Sequence, residues 1–119
     1  MIEVNRLVEL LAELVAFESV TPNSAGSLEY IEAFVTKLGA ECVYVNRNQT
    51  SNLIVTIGDG DEILAFAGHV DVVPPGDISK WVNANPYQLH IDGDLIIGRG
   101  VADMKGAIAA FLLALEQFV

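Results

Sequence analysis

Apolar residues recur at helical spacing at the start of the chain. Val4, Leu7, Val8, Leu11, Leu14 and Val15 form one stripe, with Glu3, Glu9 and Glu13 off it. This pattern predicts an amphipathic helix that ends at Ser19-Val20-Thr21-Pro22-Asn23, because proline disfavours helical backbone in the residue before it. Leu28, Ile31, Phe34, Val35 and Leu38 predict a second helix, stopped at Gly39. Cys42–Val45 and Leu53–Ile57 read as strands joined by a polar loop, and Gly58-Asp59-Gly60-Asp61 as a turn. Ile63-Leu64-Ala65-Phe66-Ala67 is a short continuous apolar run, expected to be a strand buried on both faces.

A proline-rich loop with Trp81 spans 72–86. Gln88–Ile91 and Leu95–Ile97 flank Asp92-Gly93, a strong hairpin signal. A last helix runs to residue 119 and is apolar nearly all round, from Ile108 through Leu115, so it should be buried on more than one side. No internal repeat or linker interrupts the chain. The expected fold class is α/β, with a mixed, mostly parallel sheet flanked by helices. The polar-face-free last helix suggests a segment of a longer protein.

Composition narrows the function classes. At 119 residues and 52% apolar, the chain suits one small folded unit rather than disorder. No apolar run reaches the ~18 residues of a membrane span, and the first residues lack a basic secretory leader, so the expectation is a cytoplasmic protein that does not bind membranes. Six basic residues against 16 acidic ones give a net charge of −10, which repels phosphate backbones and argues against nucleic-acid binding. Cys42 is the single cysteine, so any metal must be held by histidine and carboxylates.

Two short constellations could carry chemistry. Gly68-His69-Val70-Asp71 follows the apolar run, where open α/β sheets place ligands outside the carboxyl ends of their strands. Residues two apart in extended chain point the same way, so the imidazole can bind a cation while the carboxylate fixes its tautomer. On this motif alone, a histidine merely satisfied by hydrogen bonds at a strand end stays open. Gly98-Arg99-Gly100-Val101-Ala102-Asp103-Met104-Lys105-Gly106 places an acid among three glycines before the last helix. Asp103 could cap that helix or bridge cations with its two oxygens. Weaker candidates are Trp81 as a loop anchor, Arg99 as a turn pin or carboxylate holder, and His90 as a ligand. Lys105 opposes the helix dipole and so should pair with an acid, and Cys42 reads as a small core residue.

Taken together, Phe66–Asp77 (with Gly68-His69-Val70-Asp71 and Val72-Val73-Pro74-Pro75-Gly76-Asp77), Lys80-Trp81, Pro86-Tyr87, Asp92-Gly93 and Gly98–Gly106 resemble the succinyl-diaminopimelate desuccinylases. These form a branch of a wider family of dinuclear zinc metallohydrolases that includes acetylornithine deacetylases, aminoacylases and glutamate carboxypeptidases. The resemblance is strong over 62–119 and weak before residue 52.

It implies a zinc-exopeptidase-like catalytic domain of which 1–119 is the amino-terminal portion, with the lid domain and the rest of the catalytic domain absent. It further implies that His69 binds one of two zinc ions (cobalt or manganese being possible substitutes), that Asp103 bridges both, that Asp71 is the catalytic-site residue orienting His69, and that the peptide after Asp103 is cis. The family's glutamate base, a further carboxylate ligand and a carboxyl-terminal histidine have no counterpart in these residues. Val70 stands where many desuccinylases carry Thr. The intact enzyme would act on a small N-acyl amino-acid substrate as a homodimer. Another amidase of the same family, and a non-catalytic stand-alone fragment, remain as rival readings.

Overall fold

The computed structural model describes residues 3–119. Its elements are helix α1 (Val4–Ala16), helix α2 (Ser27–Thr36), strands β1 (Glu41–Arg47) and β2 (Thr50–Thr56), strands β3 (His90–Asp92) and β4 (Leu95–Ile97), and helix α3 (Gly106–Phe118). Single 3₁₀ turns at Ile78–Lys80 and Val82–Ala84 punctuate the proline-rich loop.

The core forms where the three helices meet. Leu10, Leu11, Leu14 and Val15 of α1 pack with Ile31 and Val35 of α2 and with Ile108, Ala109, Leu112 and Leu113 of α3. The α1 stripe thus runs one position broader than its pattern, taking in Leu10, while Val4 at the first turn is exposed. Helices α1 and α3 are antiparallel. Arg6 near the start of α1 pairs with Glu116 near the end of α3 at 2.7 Å, whereas Lys105, just before α3, reaches Leu14 and Phe17 at the end of α1.

Helix α2 ends as expected, with Gly39 at φ 92° turning the chain into β1. Both hairpins form. β1 pairs with β2 antiparallel from Glu41↔Thr56 to Arg47↔Thr50, and β3 pairs with β4 from His90↔Ile97 to Asp92↔Leu95. Along β1 and β2, Cys42, Tyr44, Leu53, Val55 and Ile57 face inward while Val43, Val45 and Ile54 face out. Cys42 is partly buried against the core, close to the small core residue its type suggested.

The α/β class stands, but the mostly parallel sheet is not formed among the described residues. Both two-stranded sheets are antiparallel, and the parallel pairing consists of one bridge between Val20 and Val72. The run Ile63–Ala67 is likewise not a buried strand. Among the described residues it pairs with no strand, and Ile63 and Leu64 are 89% and 98% exposed. A strand is buried on both faces only when neighbours flank it and helices cover it, and no described residues supply those neighbours. The molecule is accordingly flat, 50 × 39 × 20 Å, with a radius of gyration of 15.1 Å, against about 13.5 Å for a compact chain of this length.

Candidate metal site

The residues singled out above converge at one end of α1. Val72 is drawn to the segment after α1 by a two-way backbone exchange: its N–H donates to Ser19 O at 2.8 Å, and its carbonyl accepts from Thr21 N at 3.1 Å. The Ser19 hydroxyl, fully buried, donates to Val70 O at 2.7 Å. The Thr21 hydroxyl donates to Asp71 Oδ2. Residues 70–72 are therefore referenced to 19–21, and His69 projects from the start of that clasp.

The imidazole of His69 lies between two acids. Its Nδ1 is 3.0 Å from the backbone carbonyl of Asp71 and 3.3 Å from Asp71 Oδ1. A carbonyl oxygen can only accept, so Nδ1 carries a proton and donates. Nε2, on the far side of the ring, lies 3.0 Å from Asp103 Oδ1. The Asp71 carbonyl bond raises the His69 pKa above its usual value, and the Asp103 carboxylate adds to this, against an opposing effect of burial. Both residues remain reachable from solvent, with the His69 side chain 47% and the Asp103 side chain 84% exposed.

Asp103 arrives at this position through an irregular turn. Gly100, in the left-handed region at φ 85°, opens a wide π-type turn closed by Lys105 N donating to Gly100 O at 2.8 Å. Inside it, Asp103 (φ −131°, ψ 90°) and Met104 (φ −138°, ψ 31°) leave helical geometry, and the peptide between them is cis. Helix α3 starts only at Gly106, and no side chain caps it, so Asp103 is not its N-cap. Met104 turns back beneath the segment that carries His69, its sulfur 3.4 Å from the His69 amide nitrogen. A Cβ at Gly68 would sit 3.1 Å from Met104 Cε and 3.2 Å from the Phe66 ring, so this crossing favours glycine at 68.

Lys105 corrects an expectation. Among the described residues it pairs with no acid. It is 1% exposed, and Nζ donates to Leu14 O at 2.7 Å and Phe17 O at 2.9 Å, while burial lowers its pKa to about 8. The last carbonyls of α1 carry the negative end of that helix's dipole, which provides the counter-charge the dipole argument assigned to an acid. The sequence offered no signal for this role, nor for Ser19 and Thr21, which look only like a helix stop.

The weaker candidates sort themselves. Trp81 anchors its loop, Nε1 donating to Pro75 O at 2.9 Å, and Arg99 stacks over its ring at 4.8 Å instead of binding a carboxylate. His90 lies in β3 with Nε2 buried and unpartnered among the described residues.

In kind, the imidazole Nε2 and the Asp103 carboxylate suit a divalent ion such as zinc, and 3.0 Å between them is a spacing two donors at about 2.0–2.2 Å from one ion can span. In number they fall short: among the described residues, no three or more His, Cys, Asp or Glu side chains are placed to hold one metal ion together, whereas a catalytic zinc takes about three protein ligands.

Residues 65–119, which carry both constellations, match the family described as Peptidase family M20/M25/M40. Over those residues the chain is similar to that family. It is 39% identical over 113 residues to a succinyl-diaminopimelate desuccinylase of Legionella pneumophila and 41% identical over 115 residues to one of Xanthomonas oryzae pv. oryzae, covering 95% and 97% of this chain. A Rickettsia typhi desuccinylase is 42% identical over 114 residues. The chain spans about 30% of the length of each of these relatives.

Among solved structures it resembles human carnosine dipeptidase 1, with a TM-score of 0.81 and 26% identity over 96% of this chain and 28% of that one. The resemblance to desuccinylases drawn from the motifs therefore extends through nearly the whole chain, including the helices and β1–β2 hairpin before residue 52. No helix among the described residues is long and apolar enough to cross a membrane.

Proposed function

We propose that residues 1–119 are the amino-terminal portion of the catalytic domain of a zinc-dependent amidohydrolase, whose intact form hydrolyses N-succinyl-LL-2,6-diaminopimelate to succinate and LL-2,6-diaminopimelate in diaminopimelate and lysine biosynthesis. The observation that carries this reading is the meeting of His69 Nε2 with Asp103 Oδ1, at 3.0 Å, inside the stretch that matches the peptidase family. The relatives at 39% to 42% identity are desuccinylases, which favours that branch over its neighbours.

In this reading His69 holds one of two divalent ions through Nε2, and Asp103 bridges the pair. Asp71 keeps the Nδ1 proton in place, so that the lone pair of Nε2 stays available. Bound zinc would supply Lewis-acid polarisation of the amide carbonyl and lower the pKa of a water nucleophile. The remaining ligands, the proton acceptor and most of the substrate pocket come from residues that align to the other two thirds of the relatives. The lid and the rest of the catalytic domain belong there, as does the surface that pairs two copies into a homodimer. The mostly parallel sheet is completed there too, around Ile63–Ala67. A cytoplasmic location fits a small N-acyl amino-acid substrate.

The test is an assay of the natural-length gene product with zinc on N-succinyl-diaminopimelate, N-acetylornithine and a dipeptide. Succinyl release abolished by His69→Ala and by Asp103→Ala supports the reading. Preference for the acetyl substrate or the dipeptide reassigns the enzyme within the family, a direction in which the likeness to human carnosine dipeptidase 1 points. Hydrolysis undiminished in both variants would refute the site.

A further inference from the structure

We infer that Thr21 is a positioning residue for the candidate metal site, holding the Asp71 carboxylate in the orientation that faces His69. This rests on the metal-site reading above. The two oxygens of Asp71 are divided between two partners: Oδ1 faces His69 Nδ1 at 3.3 Å, and Oδ2 accepts the Thr21 hydroxyl. An aspartate held by the ring alone can rotate about its side-chain torsions and leave Nδ1 with only the backbone carbonyl. A second hydrogen bond on the opposite oxygen removes that freedom.

Thr21 can serve as a fixed reference because it is itself fixed. Its N–H donates to Val72 O at 3.1 Å, Ser19 two residues earlier is fully buried and grips Val70 and Val72, and Phe17 O is held by the buried Lys105 Nζ at 2.9 Å. Lys105 stands two residues after Asp103. The segment from Leu14 to Thr21 therefore touches both segments of the site: Thr21 sets the His69–Asp71 side and Lys105 the Asp103 side. A hydroxyl is required at 21, since it is the hydroxyl, not the methyl, that reaches the carboxylate.

The experiment compares Thr21→Val, Thr21→Ser and Asp71→Asn in the full chain. Ring nitrogen NMR shifts of His69 are read without metal at one pH where the ring is neutral, and zinc affinity is read by competition with a chromophoric chelator. Thr21→Val is expected to move the His69 Nδ1 and Nε2 shifts toward those of Asp71→Asn and to weaken zinc by about threefold to tenfold, less than the roughly 10–100-fold that loss of the outer-shell partner itself costs, because Thr21 acts through Asp71. Thr21→Ser is expected to keep both near wild type, a rescue that a purely structural role would not give.

Wild-type ring shifts in Thr21→Val, with those of Asp71→Asn displaced, would overturn the assignment. If Thr21→Val does not fold by circular dichroism, Thr21→Ala replaces it. Thr21→Ala and Thr21→Ser must then split, and matching shifts in the two would likewise overturn it. Zinc affinity unaffected by His69→Ala counts against the metal reading instead, and leaves the ring-shift result to decide Thr21.

Discussion

His69 and Asp103, 34 positions apart, meet at 3.0 Å between Nε2 and Oδ1 at the end of α1. A divalent ion bound there would replace the hydrogen bond between the imidazole and the accepting Asp103 carboxylate, two ligand groups that the fold has already brought together, so the cost of ordering them is met before the ion arrives. The two groups are only part of a ligand set, however. The 119-residue chain is therefore expected to bind zinc weakly and with about one ion per chain at most. His69→Ala and Asp103→Ala are each expected to lower affinity at least about tenfold. Isothermal titration checks this, and tight uptake of two ions by monomeric chain would contradict it.

Proton and metal compete for the same lone pair. The Asp71 carbonyl, followed by Asp103, raises the His69 pKa, so the doubly protonated ring persists to a higher pH than for an ordinary histidine. Its contribution to folding is full below the unfolded pKa and is lost as pH rises through the raised one, while metal binding runs the opposite way. Zinc affinity should fall by about tenfold per pH unit below the raised value. Asp103→Asn should move that inflection to lower pH by removing the charge beside Nε2. NMR titration of the ring, with and without zinc, reads both; an inflection unmoved by Asp103→Asn would show that Asp103 does not act on the ring.

What could be read from the sequence divides along a physical line. Local signals were sufficient for the three helices, for β1 and β2 as strands and for one hairpin: the apolar period of α1 and α2, Gly39 at φ 92°, and Asp92-Gly93, one residue before the Gly93-Asp94 turn that joins β3 to β4. The His69–Asp103 meeting was accessible only through resemblance, because nothing in either motif encodes the other's position. The fate of Ile63–Ala67 was not legible, since burial of a strand depends on its neighbours rather than on its own residues. Lys105 was misread for a related reason. A lysine at a helix start looks unpaired until the carboxyl end of another helix is placed against it.

The exposed run makes a prediction of its own. Ile63 and Leu64 are nearly free of contacts, beside an unpaired backbone edge, which is a template for intermolecular pairing. The net charge of −10 opposes association, so the chain should self-associate more as salt screens that charge. Leu64→Lys should suppress association while changing stability by no more than about 0.5 kcal/mol, as for other exposed sites. Sedimentation velocity at low and high salt decides the matter. A chain that stays monomeric at every concentration and salt would show that this edge is protected.

Lys105 should write itself into the pH dependence of stability. Burial lowers its pKa from the ordinary 10.5 to about 8. Below about 8 the amine is charged in both states, and the folded state carries the cost of that buried charge. Between about 8 and 10.5 the unfolded chain holds a proton that the folded chain has released, so stability rises with pH, by at most about 3 kcal/mol.

The rise is cut short from above. Tyr44, whose pKa is pushed up to about 12 chiefly by burial, and Tyr30, also raised chiefly by burial, ionise more readily in the unfolded chain, so stability turns down beyond about pH 10. Lys105→Met should abolish the rise. Neither carbonyl would be orphaned, because Phe17 O keeps the Ser19 amide at 2.8 Å and Leu14 O keeps the Phe17 amide at 3.3 Å. Near neutral pH the Met variant should therefore stay within about 1–2 kcal/mol of wild type. Lys105→Ala, which adds a cavity, should lose about 2–4 kcal/mol. Urea unfolding from pH 7 to 10 measures all three proteins, and an undiminished rise in Lys105→Met would assign the titration to another group.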